Sequence, residues 1–210
     1  MTYDPSSVSG AGHFFFNGGK NALERRFGRG IGSTAARQVA SALGRVDYDT
    51  YVEPFLGRGD ITRAIASHGK VVLNDLDCRR LQQAKAAQCG PGRNRTACAL
   101  VSDPSTARCG ADWRTLLKHD APGTLFVLDP PWEGASARGM SYDRNAAIPA
   151  AEVVRSTRGL EGTVAIVYGD YPKARRELCH APFTCHRIRR QFFGRPFTQL
   201  LAVKPARGAA

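Results

Sequence analysis

The sequence lacks several patterns that would place it in a familiar class. No apolar run reaches the roughly 20 residues that a membrane-spanning helix needs, and the opening Met1-Thr2-Tyr3-Asp4 has no signal-peptide pattern. The six cysteines form no Cys-x-x-Cys pair, and the chain contains no internal repeat and no linker. We therefore expect one domain without a membrane partner, in a reducing intracellular compartment where its thiols stay free.

Two adjacent pairs, Cys179-His180 and Cys185-His186, suggest zinc at first sight. Neighbouring residues of a strand point to opposite faces, so the members of each pair would not face the same ion. We expect no metal site.

Charge is the unusual feature of the composition. The 210 residues include 30 Lys and Arg against 18 Asp and Glu, a formal net charge of +12. Such an excess indicates a polyanionic partner, with nucleic acid as the first candidate. The alternative is a GC-rich genome, which favours Arg, Ala and Gly codons whatever the function.

Short apolar runs alternate with helical or loop segments along most of the chain. Residues 1–12 are typical of a loose terminus, and Ser33 would cap a helix over 34–43. The apolar runs predict strands at 50–55, 70–76, 97–101, 124–128, 163–168, 183–188 and 199–203. Several runs are apolar nearly throughout, as in strands that are buried on both faces of a sheet. We predict a mostly parallel, doubly wound α/β sheet over 13–204 that ends in an antiparallel hairpin, with 205–210 as a tail.

The first candidate ligand site is the run from Tyr51 to Gly59, a strand that enters a glycine turn before a helix. Gly57 and Gly59 allow the backbone to turn sharply and to approach a ligand closely. In a doubly wound sheet, nucleotide-like ligands lie at the carboxyl end of the first strand. Taken alone, the pattern is also that of an ordinary strand-to-helix turn.

A second apolar strand ends about twenty residues later, at Asn74-Asp75. A carboxylate at this spacing can accept both hydroxyls of a ribose, and Asp75 directly follows the apolar run. Asp77 would instead be a helix N-cap. The glycine turn and Asp75 together suit a nicotinamide dinucleotide and S-adenosylmethionine alike, since both carry an adenosine ribose.

The strand over 124–128 runs into Asp129-Pro130-Pro131-Trp132, which distinguishes the two cofactors. Two prolines make a rigid turn whose carbonyls we expect to face outward. The amine of adenine is a poor nucleophile, and a carboxylate and a backbone carbonyl can each accept one of its N–H bonds, leaving a lone pair aimed at a methyl donor. Trp132 would offer a flat face to a base that has left its stack.

These residues, in this order, resemble the DNA adenine methylase family, the Dam-like adenine-specific methyltransferases. The N-terminal run Phe16-Asn17-Gly18-Gly19-Lys20 is similar to the family's aromatic-x-Gly-Gly-Lys motif, and residues 165–172 are similar to its fifth strand and the following turn. The resemblance implies a Rossmann-like class I methyltransferase fold with S-adenosylmethionine as cofactor. It also implies roles for individual residues. The residues that it assigns to the cofactor are Phe16, Lys20, Glu53, Phe55, Gly57, Gly59, Asp75, Asp112 and Asp129; Asp129, Pro130, Pro131 and Trp132 form the catalytic loop.

Residues 78–111 stand where the family carries a substantial target-recognition domain, so we expect a reduced recognition region. Phosphate contacts would then dominate binding, unless a partner protein or a second copy of the chain adds recognition. The candidate contacts are Arg25, Arg26 and Arg29 near the N-terminal motif, and Arg187, Arg189, Arg190 and Arg195 in the hairpin. For any single one of them, the alternative is a solvated basic face.

Three functions remain in order of preference. The first is methyl transfer to adenine in DNA, the second is the same chemistry on RNA or single strands, and the third is a silent methyltransferase fold that binds nucleic acid. The Asp129-Pro130-Pro131-Trp132 loop argues against silence. That loop and the lack of a full Gly-x-Gly-x-x-Gly argue against a dehydrogenase.

Overall fold

The computed structural model describes residues 34–43, 46–65, 69–89, 95–133, 147–192 and 195–208. The helices of this part are α1 (Thr34–Leu43), α2 (Asp60–Ile65), α3 (Cys78–Gln88), α4 (Arg95–Ser102), a 3₁₀ helix (Trp113–His119), α5 (Ala150–Thr157) and α6 (Pro172–Leu178). None of the helices in these ranges is long and apolar enough to span a membrane.

Seven strands form one sheet: β1 (Thr50–Glu53), β2 (Lys70–Asp75), β3 (Ala107–Cys109), β4 (Thr124–Leu128), β5 (Thr163–Gly169), β6 (Thr184–Phe192) and β7 (Arg195–Lys204). Their order is β3-β2-β1-β4-β5-β7-β6, parallel from β3 to β5 and antiparallel at β7 and β6. The predicted doubly wound sheet and its terminal hairpin are confirmed. β1 stops at Glu53, earlier than predicted, because Pro54 has no amide hydrogen to donate to the sheet.

The core lies on both faces of this sheet. Leu125 and Val127 of β4 belong to the cluster formed with α1 to α4, whereas Phe126 and Leu128 belong to the cluster formed with the 3₁₀ helix, α5 and α6. Strand side chains alternate between faces, so a strand with a helix layer on each side must be apolar at every position. This explains why β4 and β5 are buried throughout.

The prediction of a strand at 97–101 is wrong, since these residues lie in α4. Ala97 and Val101 are the buried residues of this helix, and their spacing of four places them on one face. A short apolar run does not distinguish a buried helix from a strand. The strand of this region is β3, which pairs with β2 in parallel. The described part of 78–111 therefore consists of α3, α4 and β3.

The expectation of free thiols is also wrong. All six cysteines form disulfides: Cys78–Cys109, Cys89–Cys98 and Cys179–Cys185. The first bridge joins α3 to β3, the second joins the end of α3 to α4, and the third joins the end of α6 to β6. Each pair is brought together by the packing of separate elements, which the spacing of cysteines in the sequence does not reveal.

Candidate active site

The glycine turn after β1 has the conformation that its sequence predicts. Gly57 and Gly59 have φ angles of +52° and +70°, which residues with side chains rarely adopt. The Gly57 amide donates to Oδ2 of Asp75 at 2.9 Å, and the Leu56 amide donates to the Asn74 carbonyl at 2.9 Å. The turn is therefore fastened to the end of β2.

Asp75 is the centre of this hydrogen-bond network. Its Oδ1 accepts from the Asp77 amide at 3.0 Å, and its own carbonyl accepts from the Gly110 amide at 2.9 Å. Burial raises the pKa of the Asp75 carboxyl, against the lowering effect of the two amide donors. Asp77 caps α3 by accepting from the Arg79 amide at 2.9 Å, as predicted.

Glu53, the last residue of β1, is buried in the core. The residue is 1% exposed, and its Oε2 accepts from the hydroxyl of Tyr51 at 2.7 Å and from that of Thr62. Burial raises the pKa of Glu53 to about 8, and the nearby Asp129 carboxylate adds to the increase. Its carboxyl thus joins β1 to α2 within the core. The cofactor contact that the resemblance implies for Glu53 stays a prediction.

Leu76 and Trp113 have features that the sequence did not reveal. Leu76 is 66% exposed although it directly follows Asp75. The indole of Trp113 packs on Phe55 with ring centroids 5.7 Å apart, and no acceptor within the described ranges meets its buried Nε1–H. A buried donor without a partner is a signal of a bound water, ion or ligand, whereas a single exposed apolar side chain is common on protein surfaces. Neither feature is visible before the chain is folded.

Asp112 is exposed and caps the 3₁₀ helix. It accepts from the Arg114 amide at 2.8 Å, and its second oxygen accepts from the Arg114 guanidinium at 2.8 Å. That guanidinium also lies over the Trp113 ring, 5.1 Å from its centroid. A role for Asp112 toward the cofactor stays a prediction.

The Asp129-Pro130-Pro131-Trp132 loop begins where β4 ends. Pro130 is buried, and the Pro131 carbonyl accepts from the Ile148 amide at 2.7 Å. The expectation that both carbonyls face outward is therefore wrong for Pro131, because this carbonyl connects the loop to the segment before α5.

Trp132 is packed rather than open. It is 3% exposed, and its ring centroid lies 6.3 Å from that of Tyr168 and 6.4 Å from that of Tyr171. A Cβ on Gly169 would lie 2.6 Å from the indole, so only glycine permits this arrangement. The prediction of an open stacking face at Trp132 is wrong for this structure, since β5 covers the ring.

Several residues predicted to contact the cofactor or nucleic acid cannot be placed. Phe16, Lys20, Arg25, Arg26 and Arg29 lie outside the described residues, as do the side chains of Arg190 and Arg195.

In the described part of the hairpin, Arg187 is 64% exposed at its side chain and pairs with the buried Asp170 at 3.3 Å. Arg189 is exposed, and its backbone pairs with the side chain of Gln38. Both arginines are thus on the surface, and their contact with nucleic acid stays a prediction.

The strand order places these loops at one point of the sheet. β1 has β2 on one side and β4 on the other, so the chain changes direction between β1 and β4. Ligands of open α/β sheets bind outside the carboxyl ends of the strands at such a switch point. The glycine turn, Asp75 and Asp129 all follow the carboxyl ends of these strands.

No family model matches the sequence, and no curated protein matches it. Among solved structures, the chain is similar to TrmN from Thermus thermophilus, with 20% identity and a TM-score of 0.52 over 87% of this chain and 53% of that chain. The doubly wound α/β fold of this chain is therefore of the kind found in TrmN. The chain spans about half the length of TrmN, and at this identity the likeness shows the fold alone.

Two further structures have lower scores. An rRNA methylase from Streptococcus thermophilus has 15% identity and a TM-score of 0.49, over 82% of this chain and 97% of that chain. The magnesium protoporphyrin IX methyltransferase ChlM from Synechocystis, solved with bound S-adenosylmethionine, has 12% identity and a TM-score of 0.48, over 81% and 78%.

Proposed function

We propose that this protein transfers a methyl group from S-adenosylmethionine to the exocyclic amine of adenine in nucleic acid, with DNA as the favoured substrate. The observation that carries the proposal is the convergence of the Gly57 turn, Asp75 and Asp129 at the switch point of a class I methyltransferase fold. The resemblance of the Asp129-Pro130-Pro131-Trp132 loop to Dam-like enzymes supports adenine as the target base.

The residues around Asp75 fit the cofactor. Each carboxylate oxygen of Asp75 accepts one amide hydrogen and retains a lone pair for a ribose hydroxyl. A Cβ on Gly57 would meet nothing within 4 Å, so space is open above the turn. The exposed Leu76 offers an apolar surface for an adenine ring. Bound S-adenosylmethionine would supply an electrophilic methyl group on its sulfonium.

Two acceptors of the catalytic loop would prepare the target amine. Asp129 supplies a carboxylate, and we assign the second acceptor to the carbonyl of Pro130, because that of Pro131 accepts from the Ile148 amide. With one N–H bond directed at each acceptor, the amine nitrogen moves toward tetrahedral geometry and its lone pair is free to attack. The proline pair fixes both acceptors before the base arrives.

Trp132 would act by holding this loop. Its indole fills the space between Gly169, Tyr168 and Tyr171, and the next residue, Glu133, accepts from Lys173 Nζ at 3.1 Å. Loss of this packing would displace Asp129, which lies three residues earlier in the chain. Of the three rings packed here, Trp132 and Tyr168 are buried, whereas Tyr171 is only partly buried. Tyr171 therefore retains ring surface on which a base could stack.

Positive charge would hold the nucleic acid. Arg187 is oriented by its pairing with Asp170, whose other partner is Arg175 of α6. The neighbouring Lys173 and Arg176 of α6 are exposed, and Lys173 pairs with Glu133 of the catalytic loop. Contacts of this kind release counterions, so affinity should fall steeply with salt, with a slope of about −0.9 per phosphate on duplex DNA and about −0.7 on single strands.

The proposal is tested by incubating the protein with labelled S-adenosylmethionine and separate pools of DNA and RNA, followed by digestion and mass spectrometry. We expect methyladenine in the DNA pool, and Asp129→Ala should lower the rate by about 10²- to 10³-fold. Asp47→Ala removes an exposed carboxylate from the segment before β1, at the other end of that strand from the site, and should leave the rate unchanged. Methylcytosine would contradict the target base.

The same experiment separates the alternatives. If methyladenine is found in the RNA pool alone, the substrate is RNA and the proposed methyl transfer to adenine still holds. Binding of either nucleic acid with no methyl transfer, in protein that binds the cofactor, would indicate a silent nucleic-acid-binding fold.

A further inference from the structure

We propose that the Cys78–Cys109 disulfide positions Asp75 for the cofactor and thereby sets cofactor affinity without entering the reaction. The inference rests on the proposed function, because it takes Asp75 as the ligand of the cofactor ribose. It deepens that function by adding two positioning residues that lie outside the reacting groups.

The bridge encloses Asp75 in a short ring. Cys78 is the first residue of α3, three residues after Asp75, and Cys109 is the residue that faces Asp75 across the β2–β3 pair. The next amide, that of Gly110, donates to the Asp75 carbonyl at 2.9 Å. The backbone on the far side of Asp75 is therefore linked covalently to the start of α3.

Non-covalent contacts also hold this region, since the buried Asn74 amide donates to the carbonyls of Pro54 at 3.3 Å and Ala111 at 3.0 Å. Of these contacts and the bridge, only the bridge joins β3 covalently to the start of α3. β3 has three residues and ends the sheet, so β2 is its sole neighbour among the strands. The Asp75 carboxylate accepts amides from two separate segments, Gly57 and Asp77, and both must be in place before a ribose can bind. A three-residue edge strand has few ladder hydrogen bonds to β2, so a covalent bond at Cys109 adds a constraint on the residue that faces Asp75.

The chain contains a matched control. Cys179–Cys185 joins the end of α6 to β6, at the opposite edge of the sheet from β3. Its loss removes a cross-link without touching β2, β3 or α3. A general loss of stability would follow from either bridge, whereas a specific loss of cofactor affinity would follow from Cys78–Cys109 alone.

The test compares two double variants, Cys78→Ser/Cys109→Ser and Cys179→Ser/Cys185→Ser, in calorimetric binding of S-adenosylmethionine and in steady-state kinetics. We expect about tenfold weaker binding and a correspondingly higher KM for the first variant, from lost preorganisation. Its kcat at saturating cofactor should be unchanged. The second variant should bind like the wild type. Equal affinities in the two variants, whether both normal or both reduced, would overturn the proposal.

Amide hydrogen exchange without cofactor provides a readout that does not depend on the proposed function. Exchange at Gly57 and Asp77 should accelerate in the first variant and remain slow in the second. If the wild type fails to bind S-adenosylmethionine, the proposed function fails, whereas the exchange result still decides the positioning of Asp75. Unchanged exchange at both amides in the first variant would overturn the positioning role.

If the first variant does not fold, the bridge can be opened in the folded wild type with dithiothreitol. The reagent gives up two electrons and two protons to form its cyclic disulfide, and Cys78 and Cys109 become thiols. Alkylation and mass spectrometry then report which bridge has opened. Exchange at Gly57 should rise with the opened fraction of Cys78–Cys109. Exchange that instead follows the opened fraction of Cys89–Cys98 or of Cys179–Cys185 would contradict the proposal.

Discussion

The two halves of the candidate site are held by different kinds of interaction. Around Asp75, the loops are joined by hydrogen bonds from backbone amides and by a disulfide. Around Trp132, they are held by ring packing against Tyr168, Tyr171 and the bare backbone of Gly169. Hydrogen bonds leave a partly accessible carboxylate ready for a polar ligand, whereas ring packing fixes a loop by filling all the space around it. Under the proposed function, the half around Asp75 (the cofactor half) would bind the cofactor, and the half around Trp132 (the catalytic half) would hold the catalytic loop rigid.

The largest effect is expected at Glu53, which lies between the two halves. Its pKa rises from an ordinary 4.5 to about 8 on folding, so the folded state favours its protonated form. As the pH rises from about 4.5 to 8, the unfolded chain releases this proton while the folded chain retains it. The free energy of unfolding should therefore fall, by on the order of 5 kcal/mol over the window at about 1.4 kcal/mol per pH unit.

Glu53→Gln should remove this part of the pH dependence, as measured by urea unfolding at several pH values. Glu161→Gln changes an exposed acid and should retain the wild-type slope. If the free energy of unfolding of Glu53→Gln falls with pH as steeply as that of the wild type, the carboxyl of Glu53 is not held protonated in the folded chain.

The cofactor half is probed by Asp75→Ala. The substitution removes the acceptor of two amides and of the proposed ribose hydroxyls, and should weaken S-adenosylmethionine binding by about 1.5–3 kcal/mol in calorimetry. Asp77→Asn is the matched change, since it removes a neighbouring negative charge but retains a side-chain oxygen that can cap α3, and it should leave affinity nearly unchanged. Equal affinity in Asp75→Ala and the wild type would refute the ribose assignment.

The catalytic half is probed by Gly169→Ala. The new methyl group would lie 2.6 Å from the Trp132 ring, so the indole must move, with a loss of about 1–3 kcal/mol in the free energy of unfolding and a lower rate of methyl transfer. Gly159→Ala is the control, because nothing lies within 4 Å of the added atom. A Gly169→Ala protein as stable and active as Gly159→Ala would show that Trp132 does not require this packing.

The smallest effect is expected at Leu76. Because its side chain is 66% exposed, Leu76→Ser should change stability by no more than about 0.5 kcal/mol. If the side chain covers the adenine of the cofactor, affinity should fall by about 1 kcal/mol, part of the value of burying a leucine. An affinity equal to that of the wild type would remove Leu76 from the site.

The sequence by itself determined the features that depend on near neighbours in the chain. The glycine turn, the Asp77 cap and the strand over 124–128 follow from glycine conformations, a side-chain cap and an apolar run. The position of Asp75 next to the glycine turn could be predicted, because the end of an apolar strand and its spacing from that turn are both visible in the sequence.

Only the tertiary structure decided the features that depend on contacts between distant segments. Trp132 is buried because Gly169, 37 residues later, leaves room for its ring. The Pro131 carbonyl is hydrogen-bonded because the Ile148 amide donates to it. The same holds for Cys78 and Cys109, which meet across α3 and β3 with a sequence separation of 31. A composition or a local pattern does not specify which distant surfaces touch, because many pairings satisfy the same hydrophobic periodicity and packing selects one of them.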